Sequence, residues 1–152
     1  SLVPGVKSLF RRLIHENCLL FLHTNQSGVG RGYFSIDDVI KCNSKMIEQI
    51  GLGNNIFEKI CIAEDFPPGQ NSYRKPSNKF GLEILSKYKI EPNDLYYVGD
   101  SKCDIETAEN LGCNFIFVSQ KENKKITTRT GNTYSSYTCI KDAFLNEFYN
   151  KN

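Results

Sequence analysis

Two aspartates four residues apart, Asp100 and Asp104, follow a short apolar run, Leu95-Tyr96-Tyr97-Val98, that stops at Gly99. Glu91-Pro92-Asn93-Asp94 supplies a turn signal before the run. Behind the aspartates, Ile105, Ala108 and Leu111 recur at helical spacing and Gly112 ends the pattern. A strand bounded by breakers, then a helix, is the expected reading. It puts Asp100 at the carboxyl end of a strand, in the loop that opens a helix, where open α/β sheets bind ligands. Two carboxylates held close repel; at an effective dielectric near 20, unit charges about 4 Å apart cost roughly 4 kcal/mol. A hard cation such as Mg²⁺ removes that penalty, and it prefers few carboxylates plus waters and phosphate oxygens. Asp104 has a second role open to it, as a helix cap worth about 1 kcal/mol, and the two roles can coexist.

A second stretch with chemical potential runs Thr24-Asn25-Gln26-Ser27-Gly28-Val29-Gly30-Arg31-Gly32. It follows an apolar run at residues 18–23. Glycines let a backbone approach a ligand closely. Thr24 offers a hydroxyl and a backbone N–H at the strand tip, the equipment for holding a phosphate. The stretch is neither a Walker motif nor GxGxxG, and taken alone it is also readable as a turn. A third piece is Arg74-Lys75-Pro76. Pro76 keeps Lys75 out of the helical region, so the lysine is presented from an extended segment. Two adjacent cations at a loop–helix junction, taken alone, read as solvated surface.

The elements that must position these residues alternate along the chain. Val6, Leu9, Phe10, Leu13 and Ile14 predict an opening helix after Pro4-Gly5, ending at His15-Glu16-Asn17. Residues 18–23 are continuously apolar, as in a strand covered on both faces of a parallel sheet. Ser35 caps a helix whose apolar face is Val39, Ile40, Met46, Ile47 and Ile50, closed by Gly51. Residues 57–63 read as a strand and 64–73 as an exposed loop. A helix carrying Phe80, Leu82, Ile84, Leu85 and Tyr88 follows. Beyond the Asp100 strand and its helix lie a buried strand at 114–119, a polar and partly mobile connection at 120–137, and a last helix over about 140–149. This order predicts an α/β fold with a Rossmann-like, doubly wound parallel sheet in a single domain over residues 1–152.

The 152 residues carry a net charge of +2, with 39% hydrophobic and 24% charged residues, an ordinary composition for a soluble globular chain. Nothing in that charge makes a general case for nucleic acid. No apolar run reaches the roughly 18 residues that a membrane span needs. No basic region precedes an apolar core at the N-terminus, so no signal peptide is expected. The six cysteines, Cys18, Cys42, Cys61, Cys103, Cys113 and Cys139, form no CxxC or CxC pair. They read as free thiols in a reducing cytoplasm, without zinc.

Taken in order, residues 24–32, Arg74-Lys75-Pro76 and Gly99-Asp100-Ser101-Lys102-Cys103-Asp104 resemble the haloacid-dehalogenase superfamily of phosphatases. The group most resembled is that of the histidinol-phosphate and heptose-bisphosphate phosphatases, and Ala108-Glu109-Asn110-Leu111-Gly112 fits as well. The resemblance implies a Mg²⁺-dependent phosphomonoesterase that acts through an aspartyl-phosphate on a small sugar phosphate or histidinol phosphate. It implies that Thr24 binds phosphoryl oxygens and that Lys75 neutralises charge on the nucleophile and the transferring group. It also implies Mg²⁺ at Asp100, with Asp104 assisting. Asn25, Gln26, Ser27, Arg74 and Ser101 would line the substrate side. Thr24, Lys75 and Asp100 are then expected to converge.

Two departures from the family pattern bear on these expectations. The DxDGT-type segment with the nucleophile and the acid/base is absent, and no Asp-x-Asp occurs anywhere in the sequence. The expectation is therefore a first central strand missing from this chain, a nucleophile lying upstream, little phosphatase activity in the 152 residues, and an oligomer or second chain able to complete the sheet. The CxH…CxC zinc loop of many bacterial relatives is also absent, so no zinc is expected. Two alternatives stand beside the leading reading. One is a polynucleotide 3′-phosphatase, whose family shares the first two pieces. The other is an inactive domain of this fold that binds a phosphorylated ligand or a partner.

Overall fold

A computed structural model of the chain describes residues 1–150. The polypeptide forms two compact units, Ser1–Arg74 and the part from Lys75 onward.

The first unit contains helix α1 (Val6–His15), strand β1 (Phe21–Asn25), the short turn of helix α2 (Ser27–Gly30), helix α3 (Ile36–Ile50) and strand β2 (Lys59–Ala63). β1 and β2 pair in parallel, from Phe21 opposite Lys59 to Asn25 opposite Ala63. A parallel pair cannot be closed by a tight turn, and α2 and α3 supply the crossover. α3 starts where the sequence says it should. The Ser35 hydroxyl accepts from the Asp38 N–H while the Asp38 carboxylate accepts from the Ser35 N–H, so two otherwise orphaned amides are satisfied reciprocally. Gly51 ends it in the left-handed region at φ 67°. The core gathers Ile47, Ile50 and Ile56 against Leu2, Phe10, Met46, Leu52 and Phe57. Phe10 and Phe57 meet edge to face at 6.1 Å.

The second unit contains α4 (Lys79–Tyr88), β3 (Tyr96–Gly99), α5 (Lys102–Leu111), β4 (Asn114–Phe117), β5 (Lys125–Thr127), β6 (Thr133–Ser135) and α6 (Ile140–Phe144), which runs on as a wider helical turn to Tyr149. β3 and β4 pair in parallel, Tyr96 opposite Asn114 and Gly99 opposite Phe117, with α5 as the crossover. Ile105 and Ile116 are fully enclosed, and Ala108, Phe117, Ala143 and Phe144 are buried with them. Thr107 is fully buried too, and its hydroxyl donates to the Cys103 carbonyl one turn back at 2.6 Å. That bond removes the cost of hiding a hydroxyl.

Several sequence expectations shift. The apolar run at 18–23 becomes a strand only from Phe21, because the Cys18 N–H still bonds to the Leu13 carbonyl at the end of α1 and Leu19 is 48% exposed. Thr24 and Asn25 are accordingly strand residues. Ile40 and Leu82, assigned to apolar helix faces, are about half exposed, since the buried stripes of α3 and α4 run through Val39, Ile47 and Ile50, and through Phe80, Gly81 and Ile84. Residues 120–137 are not an irregular connection. They hold the antiparallel hairpin β5–β6, with Lys125 opposite Ser135. Its strands are three residues each and polar, too short to show the alternation that marks a half-buried strand. Among the described residues, no helix is long and apolar enough to cross a membrane.

Candidate functional site

In the first unit, Thr24 and Asn25 close β1, and Gln26 carries the chain into α2. The Gln26 side-chain amide donates to the Thr24 hydroxyl oxygen at 3.0 Å. The Gln26 N–H donates to the Ala63 carbonyl at 2.7 Å, which extends the β1–β2 ladder one residue beyond the strands. Gly30 N–H donates to the Glu64 carbonyl at 3.0 Å, and a Cβ on Gly30 would lie 2.5 Å from that oxygen. This glycine is needed so that two loops can touch, not for access to a ligand. The 64–73 loop is pinned at its far end by His23, whose Nε2–H donates to the Tyr73 carbonyl at 2.8 Å. Arg31 stacks on Phe66 at 3.5 Å from the ring centre. Arg74 Nη1 is buried with no hydrogen-bond partner among the described residues. An orphaned guanidinium nitrogen is costly to hide, and an anionic ligand would satisfy it.

In the second unit, the structure brings Lys75, Asp100, Ser101 and Asp104 together. Lys75 Nζ lies 2.6 Å from Asp104 Oδ1, and their side chains are only 12% and 7% exposed. The other oxygen, Oδ2, accepts from the Ser101 hydroxyl at 2.7 Å, the Ser101 N–H at 3.1 Å and the Asp100 N–H at 3.2 Å. Asp104 therefore does cap α5, in a reciprocal box with Ser101, and it binds a buried cation at the same time. A Cβ on Gly99 would run into the Asp104 carboxylate, so the end of β3 must be glycine. Burial pushes the Asp104 carboxyl up, but Lys75 and the Ser101 donors together outweigh it, and its pKa lies below the ordinary carboxylate value.

Lys75 is thus far from the solvated surface cation that Arg74-Lys75-Pro76 suggests in isolation. Its segment is held by Asn110 near the end of α5, whose side-chain amide donates to the Pro76 carbonyl at 3.0 Å, while Asn78 donates to the Asn110 carbonyl at 3.1 Å. Gly81 of α4 lies against Leu111 of α5. Asn110 belongs to the motif at residues 108–112, and this reciprocal amide contact gives the asparagine a structural role.

Asp100 contrasts with Asp104. It is exposed, and its side chain has no hydrogen bond or ion pair among the described residues, although both polar groups of its backbone are engaged. A lone, preoriented carboxylate fits a hard dication that keeps most of its waters and takes phosphate oxygens. Among the described residues no cluster of three or more His, Cys, Asp or Glu side chains could hold a metal alone. None of the six cysteines is in a disulfide. Residues with no role assigned from the sequence include His23, Lys124 and Glu109, although Glu109 lies within the motif at residues 108–112.

Residues 38–118 match the haloacid dehalogenase-like hydrolase family. The D-glycero-beta-D-manno-heptose-1,7-bisphosphate 7-phosphatase of Haemophilus ducreyi is 31% identical over 120 residues, covering 72% of this chain and 64% of the relative. The D-glycero-alpha-D-manno-heptose-1,7-bisphosphate 7-phosphatase of Campylobacter jejuni is 24% identical over 147 residues, 97% of this chain and 81% of the relative. The crystal structure of the D,D-heptose 1,7-bisphosphate phosphatase of B. bronchiseptica, complexed with magnesium and phosphate, superposes with a TM-score of 0.67 at 27% identity. It covers 76% of this chain and 64% of that one. The chain spans just under two thirds of several of the relatives it matches, such as 65% of the Rhodopseudomonas palustris phosphatase. Matched over more than half its length, the chain belongs to the haloacid dehalogenase-like hydrolase family.

Proposed function

We propose that this chain carries the phosphate-handling and charge-balancing part of a Mg²⁺-dependent phosphomonoesterase that acts on a small sugar phosphate. The observation that supports it most is the pairing of an exposed, backbone-locked Asp100 with a buried Lys75–Asp104 pair at the mouth of one strand–helix turn. Relatives named as heptose-bisphosphate phosphatases support the substrate class. Mg²⁺, when bound, would stabilise the charge on a transferring phosphoryl group.

The chain's own residues have separable roles. Asp100 supplies a carboxylate to the metal. Asp104 acts at one remove by fixing Lys75 and the Asp100–Ser101 turn. Lys75 offers a cation already oriented before any phosphate arrives, the kind of preorganised charge that stabilises a transition state. Thr24 offers its hydroxyl and N–H to phosphoryl oxygens, and Arg74, with its unsatisfied Nη1, binds an anionic group of the substrate. Asn25, Gln26, Ser27 and Ser101 are the remaining polar contacts we assign to substrate. The covalent step needs a nucleophile from an Asp-x-Asp pair, which these residues do not contain. We therefore expect the chain to bind phosphate and to hydrolyse p-nitrophenyl phosphate poorly.

Calorimetry tests this. Inorganic phosphate should bind the 152-residue chain in the presence of Mg²⁺, and Asp100→Asn should abolish the Mg²⁺ dependence. Undetectable binding of phosphate with and without Mg²⁺ would sink the reading, and brisk Mg²⁺-dependent turnover by the chain would sink the claim that it lacks its nucleophile. A polynucleotide substrate predicts a steep loss of binding with salt that a small phosphate ester does not.

A further inference from the structure

The peptide between Asp100 and Ser101 is gripped at both ends. Its N–H, on Ser101, donates to Asp104 Oδ2 at 3.1 Å. Its carbonyl, on Asp100, accepts from Lys124 Nζ at 2.6 Å. The first grip comes from the helix cap described above. The second comes from the base of the β5–β6 hairpin, which nothing in the phosphatase chemistry requires.

That hairpin is built to hold Lys124 still. The Lys124 carbonyl accepts from the Ser136 N–H at 2.9 Å, and its ammonium lies 5.6 Å from the centre of the Phe117 ring. The strand leaving β6 is joined to β4: Ser119 N–H donates to the Tyr137 carbonyl and Tyr137 N–H to the Phe117 carbonyl, both at 2.9 Å. The far end of the hairpin is clasped by a single carboxylate oxygen of α5. Glu109 Oε1 accepts from the hydroxyls of Thr128 at 2.8 Å, Thr130 at 3.0 Å and Tyr134 at 3.0 Å, and from the Asn132 amide at 3.4 Å. A hairpin whose strands are three residues each has little stability of its own. Clasped at its tip and paired at its base, it becomes a strut between α5 and the end of β3.

We infer that Lys124 is a positioning residue for Asp100, and that the β5–β6 hairpin is a brace whose purpose is to deliver it. With both faces of the Asp100–Ser101 peptide bonded, the Asp100 side chain leaves the backbone in a fixed direction. A partner that orients a metal ligand without touching the metal commonly carries about tenfold or more in metal affinity. The inference rests on Asp100 being the ligand for Mg²⁺. A bare electrostatic role for Lys124 predicts the opposite sign, since an ammonium near a dication repels it and its removal would tighten binding.

The test uses the full chain, with Mg²⁺ alone as probe, followed by amide NMR shifts around Asp100. Lys124→Met should weaken Mg²⁺ by about tenfold and Lys124→Arg should restore it, because a guanidinium can still donate to the carbonyl. Glu109→Ala should weaken Mg²⁺ in the same direction. The double variant should be no weaker than Lys124→Met alone, as expected when the clasp acts only through that lysine. Unchanged or tighter Mg²⁺ binding in Lys124→Met overturns the inference while leaving Asp100 as a ligand. If the unaltered chain shows no Mg²⁺-dependent shifts at Asp100 and Ser101, the metal reading itself fails. A second measurement then decides for the brace, since hydrogen exchange at the Ser101 amide without metal should speed up in Lys124→Met. Exchange that stays at the parent rate overturns it.

Discussion

Asp104 sits where three demands meet: it caps a helix, it holds a lysine, and it fixes the turn carrying Asp100. Removing its charge takes the Asp104 carboxylate away from the Lys75 ammonium, which is only 12% exposed. Breaking a buried pair by deleting one partner costs about 3 kcal/mol or more, so Asp104→Asn should lower the urea midpoint clearly. The pH dependence has a definite sign. The native pKa of Asp104 lies below its unfolded value, so its contribution is complete above the unfolded carboxylate pKa of about 3.9 and fades as pH falls through the lower native value. The difference in midpoint between parent and variant should therefore be constant above about pH 5 and shrink at more acidic pH. A difference that persists unchanged through the acid limb would show that charge is not what Asp104 contributes. The sequence disclosed both the capping option and the carboxylate spacing here. It did not disclose burial, because a lysine in a Pro-flanked loop looks the same whether or not a carboxylate awaits it.

At the scale of elements, the strand–helix–strand pieces were legible because their signals are local: Ser35 with Asp38, Ser101 with Asp104, and glycines just past the last helical turn. Strand starts were less legible, since the Leu19–Leu20 apolar pair serves as linker before β1. The β5–β6 hairpin was not legible at all, because what holds it is a glutamate on a different helix. The contact of α4 with α5 gives a sharp test of packing against propensity. Gly81 is in mid-helix, where alanine is ordinarily better by about 1 kcal/mol. A Cβ there would overlap the branched end of Leu111, however. Overpacking a filled contact costs about 1–3 kcal/mol, so Gly81→Ala should destabilise. A companion Leu111→Ala change should cost less in the Gly81→Ala chain than in the parent, since the two residues share one contact. A net gain from Gly81→Ala alone would mean that Leu111 yields freely and that the two helices are not closely packed.

Over the whole molecule, the alternation of helix and strand was read correctly as an α/β chain, and parallel pairing follows from it in both units. The division after Arg74 was not readable: it falls inside Arg74-Lys75-Pro76, where no glycine- or serine-rich linker marks it. The distribution of thiols gives a test spanning both units. No pair among the six cysteines is bonded, so a reductant should leave the melting temperature unchanged. Cys42 and Cys139 are exposed, and the others are half-buried. Reactivity follows the thiolate, not the thiol. Burial pushes the Cys113 thiol up to about 11. Burial, with the Glu16 charge adding to it, also raises Cys18. With an aromatic disulfide reagent at about pH 8, Cys42 and Cys139 should react in the fast phase and Cys113 last, its thiolate being scarce at that pH. Mass spectrometry of quenched samples would assign the order. Early labelling of Cys113 would mean that its thiol is far more accessible and more readily ionised than its burial allows.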